Sequence, residues 1–253
     1  MDDKTLLAQY RFFLKDSIRK NVDFTRTDQA RGVPPPPMEK PVSPDAKVIA
    51  LVPPADLANL GSLSLYETIH HRASRRRFAD EPLSTAAFSF LLWATQGVRR
   101  LGQDTPMFRT VPSAGARHAL ETYLIVRRVQ ELEEGVYRYL PLEHQLVLEF
   151  AIPDLAERVT ASCFGQAFVG KAAVVFAWAA VPYRMEWRYG LASHKVIAID
   201  AGHVAQNLYL ACEAIGAATC AVGAYDQEAM DALLRLDGKD EFTLYVAPVG
   251  VRK

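Results

Sequence analysis

The sequence predicts an α+β protein, a central and mostly antiparallel sheet flanked by helices, with a helical arm at its N-terminus. Three observations lead there. Apolar residues recur at helical spacing in some stretches and form short alternating or continuous runs in others, and the two kinds interleave along the chain. Several strand-like stretches are separated only by turn residues, as in hairpins. Half of the 253 residues are apolar and 23% are charged, which suffices for a real core.

Residues 3–20 read as a helix. Leu6, Leu7, Tyr10, Phe13, Leu14 and Ile18 recur at three- and four-residue spacing, with Lys4, Arg11, Lys15 and Arg19 elsewhere. The stretch GVPPPPMEKPVSP, Gly32 to Pro44, cannot be helical, because proline lacks the N–H and its ring clashes with the preceding turn. It reads as an extended polyproline II spacer. The first helix is therefore an arm, and its apolar face must be covered by its own body or by a second subunit. This divides the chain into arm and spacer, residues 1–45, and a body, residues 46–253.

In the body, SLYE places Ser64 as N-cap and Glu67 three residues on, a capping box opening a helix that ends near Ala73. A second helix runs from Ser84 to Gly97. Glu121 to Arg128, then GVYRYL and LVLEF, read as strands separated by turns, and AAVVFAWAA, Ala172 to Ala180, reads as a buried central strand. Val196 to Gly216 is a long helix with few charges, so most of its surface is buried and His203 reads as a core histidine. AYDQEAMDALLRL is a shorter helix with Asp226 near its start, and Phe242 to Gly250 is the final strand.

Twenty-nine basic and 29 acidic residues give zero formal net charge, against a nucleic-acid binder. Cys163, Cys212 and Cys220 form no CxxC pair, so neither a disulfide framework nor a cysteine zinc site is expected, and the six histidines show no metal spacing. The longest apolar run, Ala172 to Val181, is too short to span a bilayer, and the N-terminus shows no signal-peptide pattern. The expectation is a cytoplasmic protein without membrane, metal or nucleic-acid partners. Nucleotide-binding glycine fingerprints, HExxH and GxSxG are absent; SIRK, Ser17 to Lys20, matches SxxK by chance.

One short stretch breaks the even charge. HHRASRRRF, His70 to Phe78, holds four arginines and two histidines around one serine. The histidines suit a helix end, where positive charge meets the dipole. If the chain beyond is extended, Arg72, Ser74 and Arg76 face one way, and Arg75 and Arg77 the other. Two guanidinium forks flanking a hydroxyl suit a terminal phosphate. Spacing alone equally allows a solvated basic turn pairing with Asp80 and Glu81.

Four further stretches follow in order: RTVPSAGARHALETYLIV (Arg109 to Val126), AGHVAQNLYLACEAIG, TCAVGAYD and the ending YVAPVG. With the arginine–serine segment they resemble the nitroreductase-like flavoprotein superfamily, most closely its SagB-type branch, which includes azoline oxidases of thiazole/oxazole-modified peptide pathways. The resemblance covers roughly residues 64–252 and leaves out the arm.

The resemblance implies a nitroreductase-like fold and a homodimer binding FMN at the subunit interface. It matches Arg72, Ser74 and Arg76 to the phosphate-binding segment, with Ala73 where arginine is common. Pro112, Ser113, Ala114 and Gly115 match the loop along the flavin; Val222, Gly223 and Ala224 match the loop facing its ring. Arg252 is a candidate second phosphate contact, and Gln206 and Asn207 match a segment near the flavin or the dimer interface. Small-residue loops let backbone approach a flat ring closely. Azoline-oxidising members carry a Lys-Tyr pair; here it becomes Arg188-Tyr189, and arginine stays protonated and cannot serve as a base. Arg188 is then a site residue or the ion-pair partner of Glu186. The implied activity is reduction of a small organic acceptor by NAD(P)H through FMN. The alternatives are a SagB-type dehydrogenase acting on an azoline or other ring, and a non-catalytic flavin-binding module serving a partner protein.

Overall fold

The computed structural model describes residues 2–61, 63–101 and 107–253. Its helices are α1 (Asp3–Leu14), α2 (Leu65–His71), α3 (Thr85–Gln96), α4 (Leu155–Ser162), α5 (Ala167–Gly170), α6 (Tyr183–Tyr189), α7 (Ser193–Ala214) and α8 (Gln227–Leu234). Its strands are β1 (Val48–Ala50), β2 (Val98–Leu101), β3 (Met107–Arg109), β4 (Leu120–Val126), β5 (Gly135–Leu140), β6 (Gln145–Phe150), β7 (Val174–Ala180), β8 (Ala217–Thr219) and β9 (Phe242–Val251). Seven strands form one sheet in the order β1-β6-β5-β4-β7-β9-β8, every pairing antiparallel; β2 and β3 form a separate ribbon.

β7 explains how the layers are built. All seven of its residues are buried, because helices cover both faces of the sheet. Side chains alternate along a strand. Val174, Phe176 and Trp178 join a core with Phe88 and Leu92 of α3 and Val204 and Leu208 of α7. Val175, Ala177 and Ala179 join a second core with Leu155 and Val159 of α4 and Met230 and Leu234 of α8. A continuous apolar run is what a strand buried on both faces requires.

Polar signals fix the helix starts. Ser64 and Glu67 make the reciprocal capping box, and Ser84 and Asp226 accept from the third helical N–H of α3 and α8. The elements the sequence reading passed over are β1, β2, β3, β8, α4, α5 and α6. The strands among them are three or four residues long, too short to display a period.

Two expectations need correcting. The first helix stops at Leu14 and gives way to two 3-10 turns, Asp16–Asn21 and Phe24–Arg26. It buries no residue; Leu7, Tyr10 and Leu14 are each more than half exposed. The proline stretch does not stand off from the body. A polyproline backbone has no internal hydrogen bonds, so its carbonyls are free acceptors, and buried side chains use those in and beside it. Trp187 Nε1 donates to the Val33 carbonyl at 2.9 Å, Arg109 Nη2 to Met38 at 3.0 Å, and Arg138 to Lys40 and Pro41 at 2.9 and 3.1 Å. Among the described residues no helix is long and apolar enough to cross a membrane.

Candidate active site

Residues Arg72 to Ala79 leave α2 in extended form and run along the sheet edge. The Arg75 N–H donates to the Thr219 carbonyl of β8, Phe78 bridges Arg252, and the Ala79 N–H donates to Val251 of β9. The segment is thus bound as an extra edge element, but the expected alternation does not result: Arg72, Ser74 and Arg75 all meet residues of α7, Arg76 stacks over Phe168 of α5 at 5.7 Å, and Arg77 is exposed. Arg75 turns inward to Glu213, a side chain only 2% exposed, and Arg252 Nη1 meets the same carboxylate at 2.9 Å. Ser74 and Arg76 stay exposed. Asp80 faces Arg128 at 3.6 Å rather than the cluster, so the solvated-turn alternative does not form.

Tyr209 of α7 ties this edge together. Its hydroxyl lies 3.0 Å from Ser74 Oγ and accepts the Ala221 N–H at 2.8 Å, while Arg72 stacks over its ring at 5.3 Å. Val222 bridges Val246 of β9, and the next two residues, Gly223 and Ala224, emerge exposed. A methyl built on Gly223 would meet nothing within 4 Å, so this loop offers an open surface beside the arginine–serine segment. The sequence-predicted residues Arg72, Ser74, Arg76, Val222, Gly223, Ala224 and Arg252 are therefore brought to one region.

Pro112, Ser113, Ala114 and Gly115 lie elsewhere. The turn follows β3 and lies beside Asp200 in the first half of α7, whose buried Oδ2 has no hydrogen-bond partner among the described residues. Burial raises the Asp200 carboxyl above the usual carboxylate range. Gly115 has φ +58°, and a side chain there would come within 2.6 Å of the Tyr189 hydroxyl and 3.0 Å of Arg188 Nε. Only glycine allows this approach, and it joins the turn to the Arg188-Tyr189 pair. Arg188 stacks on Tyr189 at 5.5 Å. The expected pairing of Arg188 with Glu186 is absent, because Glu186 binds His194 at 2.8 Å.

Asn207 donates to the Ala94 carbonyl of α3 at 2.8 Å, which makes it a helix-packing contact in the single chain. Gln206 is exposed beside it, and His203 is exposed too, against the expectation of a core histidine. Sequence reasoning missed Tyr209, Glu213, Asp200 and His118. A usable signal existed for two of them: Asp200 and Glu213 are the only carboxylates in a 22-residue, largely apolar helix, and a buried carboxylate demands partners. His118 directly follows the glycine turn. Its backbone N–H donates to Ser113 Oγ at 2.9 Å. Burial first, and then the neighbouring Arg109, Arg117 and Arg184, lower its pKa to about 3, so the ring is neutral.

Residues 69–251 match the nitroreductase family. The chain belongs to that family. It is 33% identical over 194 residues to the Methanocaldococcus jannaschii protein named as nitroreductase MJ1384, covering 77% of this chain and 94% of that one. It is 27% identical over 179 residues to the trifolitoxin-processing protein TfxB of Rhizobium leguminosarum bv. trifolii, but spans only 46% of TfxB. Among solved structures, a Ralstonia eutropha nitroreductase-family protein superposes with a TM-score of 0.68 at 28% identity, over 87% of this chain and 98% of that one. The Escherichia coli microcin synthetase McbBCD complex shares the fold, with a TM-score of 0.61 at 19% identity over 100% of this chain and 95% of that one. The chain is thus an FMN-type oxidoreductase of the nitroreductase family, as the resemblance implied.

Proposed function

We propose that this chain forms a homodimer that binds FMN across the subunit interface and passes electrons from NAD(P)H to a small organic acceptor. The observation that carries the reading is the separation of the two site halves along α7. The Pro112–Gly115 turn sits on Asp200, and the phosphate-side cluster sits on Tyr209. Nine residues of helix put these about 13.5 Å apart along the axis and roughly 180° apart around it. One chain holds the halves on opposite sides of its longest helix, so a cofactor that touches both needs a half from each of two chains.

The open surfaces support the dimer. Ile199, Gly202, His203 and Gln206 form an exposed stripe on α7, and Leu65, Tyr66 and Ile69 an exposed apolar face on α2. Large contiguous apolar surface of this kind is characteristic of interaction sites. The residues also fit the cofactor. Arg72, Ser74, Arg76 and the second terminal nitrogen of Arg252, Nη2, supply donors for a phosphate, and the exposed Gly223 leaves room for a flat ring. When bound, FMN supplies the hydride chemistry, so the protein needs neither a nucleophile nor a metal. Arg188 keeps its charge and so holds an anion or developing negative charge; Tyr189 can donate a proton to a reduced acceptor.

The similarity to TfxB favours a second reading, a SagB-type dehydrogenase acting on a ring in a peptide. Arg188 argues against it, because it cannot remove the ring proton. The test is direct. Purified protein should be yellow, bleach with NAD(P)H, and recover its colour on addition of a quinone or nitroaromatic. A thiazoline peptide supplied under air should not lose two hydrogens by mass spectrometry. Efficient loss by the wild-type protein, or a colourless protein that FMN cannot reconstitute, overturns the reading.

A further inference from the structure

A cavity of about 680 Å³ lies between β3, the Pro112–Gly115 turn and Arg188 of α6. Three guanidinium groups line it, those of Arg99, Arg109 and Arg188, and no carboxylate does among the described residues. The arginines are satisfied by neutral acceptors where they are satisfied at all. Arg99 Nε donates to the Arg109 carbonyl at 3.1 Å, which leaves its two terminal nitrogens; Arg109 Nη1 donates to Gln96 Oε1 at 2.9 Å. Arg188 has neither a hydrogen bond nor an ion pair among the described residues. Two of the lining side chains, Arg109 and His118, are more than nine-tenths buried, yet Arg109 Nε and His118 Nε2 have no partner among the described residues. Asp200, the nearby carboxyl, lies behind Ser113 and outside the lining. On its other side the half-buried Arg188 borders a cavity of about 300 Å³ lined by Phe24, Thr27, Gln29, Ala30 and Tyr189.

We propose that this cavity selects a second substrate bearing a carboxylate, with Arg188 and Arg99 as the groups that receive it; this rests on the flavin-dependent reaction proposed above. A guanidinium fork matches a carboxylate with two parallel hydrogen bonds, and the bond is stronger where water is scarce. The same arrangement discriminates. A neutral ligand of equal shape would take water from the half-buried Arg188 without supplying a counter-charge, which disfavours it.

Benzoate and benzamide, equal in shape and different in charge, are titrated into the FMN-loaded protein by calorimetry. Benzoate should bind at least about tenfold more tightly than benzamide, as one charge-assisted hydrogen bond warrants. Arg188→Gln should abolish that preference, Arg188→Lys should keep part of it, and Arg99→Gln, on an exposed residue that folding does not need, should reduce it. Benzamide affinity should be the same in all. Equal binding of the two probes by wild type, or a preference that survives both glutamine variants, overturns the proposal. So does a rise in the KM for NADPH but not NADH in Arg188→Gln with benzoate binding intact, which would assign the charge to the donor's phosphate. FMN content is read separately from absorbance. A chain that never takes up FMN refutes the flavin reading, while the benzoate preference of the flavin-free chain still tests the cavity.

Discussion

The two halves of the site hold their arginines in opposite ways. At the sheet edge, Arg75 and Arg252 converge on the buried carboxylate of Glu213, so positive charge is balanced from behind and the segment is clamped in place. In the cavity under Arg188, Arg99 and Arg109 donate to carbonyl and amide oxygens, Arg188 makes no hydrogen bond among the described residues, and no carboxylate among them lines the space. The first arrangement gives geometry: it fixes a backbone from which Ser74 and Arg76 reach out. The second gives a field: it holds a region that an anion completes. A clamp loses its shape when its carboxylate is removed, whereas a field loses its preference when one arginine is neutralised.

The largest effect expected from this contrast comes from Glu213→Ala. It strands two guanidinium groups that are 28% and 45% exposed. Removing one partner of a fully buried pair costs about 3–5 kcal/mol, and the partial exposure here reduces that to roughly 2–3 kcal/mol. Urea unfolding should show it, together with weaker FMN binding because the edge segment loosens. A stability loss under about 1 kcal/mol with unchanged FMN affinity would break the comparison.

A smaller effect separates neighbours within the clamp. Arg76→Ala should weaken FMN binding about ten- to a hundredfold, the loss of one charge-assisted bond of roughly 1.5–3 kcal/mol. Arg75→Ala should cost stability and leave affinity nearly intact, because Arg75 is committed to Glu213. FMN titrations of the two flavin-free variants decide the matter; equal affinities would sink the idea.

These halves differed in how far they could be read. The edge segment is contiguous in sequence, so Arg72, Ser74 and Arg76 could be named together, although the alternation expected of them does not form. The cavity is built by longer-range contacts: Arg99 sits at the bulge of a β2–β3 ribbon that pairs Val98 with Arg109 and is too short to show a period, and α6 brings Arg188 from 73 positions after Gly115. Only the resemblance singled out that turn and Arg188-Tyr189, and neither pattern nor resemblance revealed that Gly115 touches the pair. The long strands and helices were legible for the opposite reason. β7 with its unbroken apolar run, and the caps Ser64, Ser84 and Asp226, carry their structure in local sequence. The docking of the proline stretch was not legible, because its partners Arg109, Arg138 and Trp187 are distant and became visible only once burial left them in need of acceptors.

His118 offers a test of burial at the edge of the cavity. Unfolded, it titrates near its ordinary 6.5; folded, at about 3. Between those values the unfolded chain holds a proton that the native chain does not. Stability from this residue is therefore lost as pH falls from 6.5 toward 3, by at most about 1.4 kcal/mol per pH unit. His118 sits at φ +45°, where asparagine is the best-tolerated neutral replacement. His118→Asn should flatten the slope measured by urea unfolding between about pH 7 and about pH 5. An unchanged slope would mean that burial, with the arginines behind it, does not hold the ring neutral in the folded chain.

The smallest effect concerns where the two halves meet. Helix α1 buries no residue in its own chain, so deleting residues 2–14 should change the unfolding free energy of the isolated chain by under about 1 kcal/mol, the range of surface changes. A cut to residue 40 would be less clean, because it would also remove the Val33, Met38 and Lys40 carbonyls that satisfy Trp187, Arg109 and Arg138. If two chains complete the site and the arm reaches its partner, the short deletion should loosen the dimer: light scattering on dilution should find the mass halving at a higher concentration than for the full chain. An unchanged dimer would remove the arm from the interface and leave the exposed faces of α2 and α7 to form it. A stability loss well above about 2 kcal/mol in the monomeric form would instead mean that Leu7, Tyr10 and Leu14 pack on their own body, and the arm would say nothing about how the halves are joined.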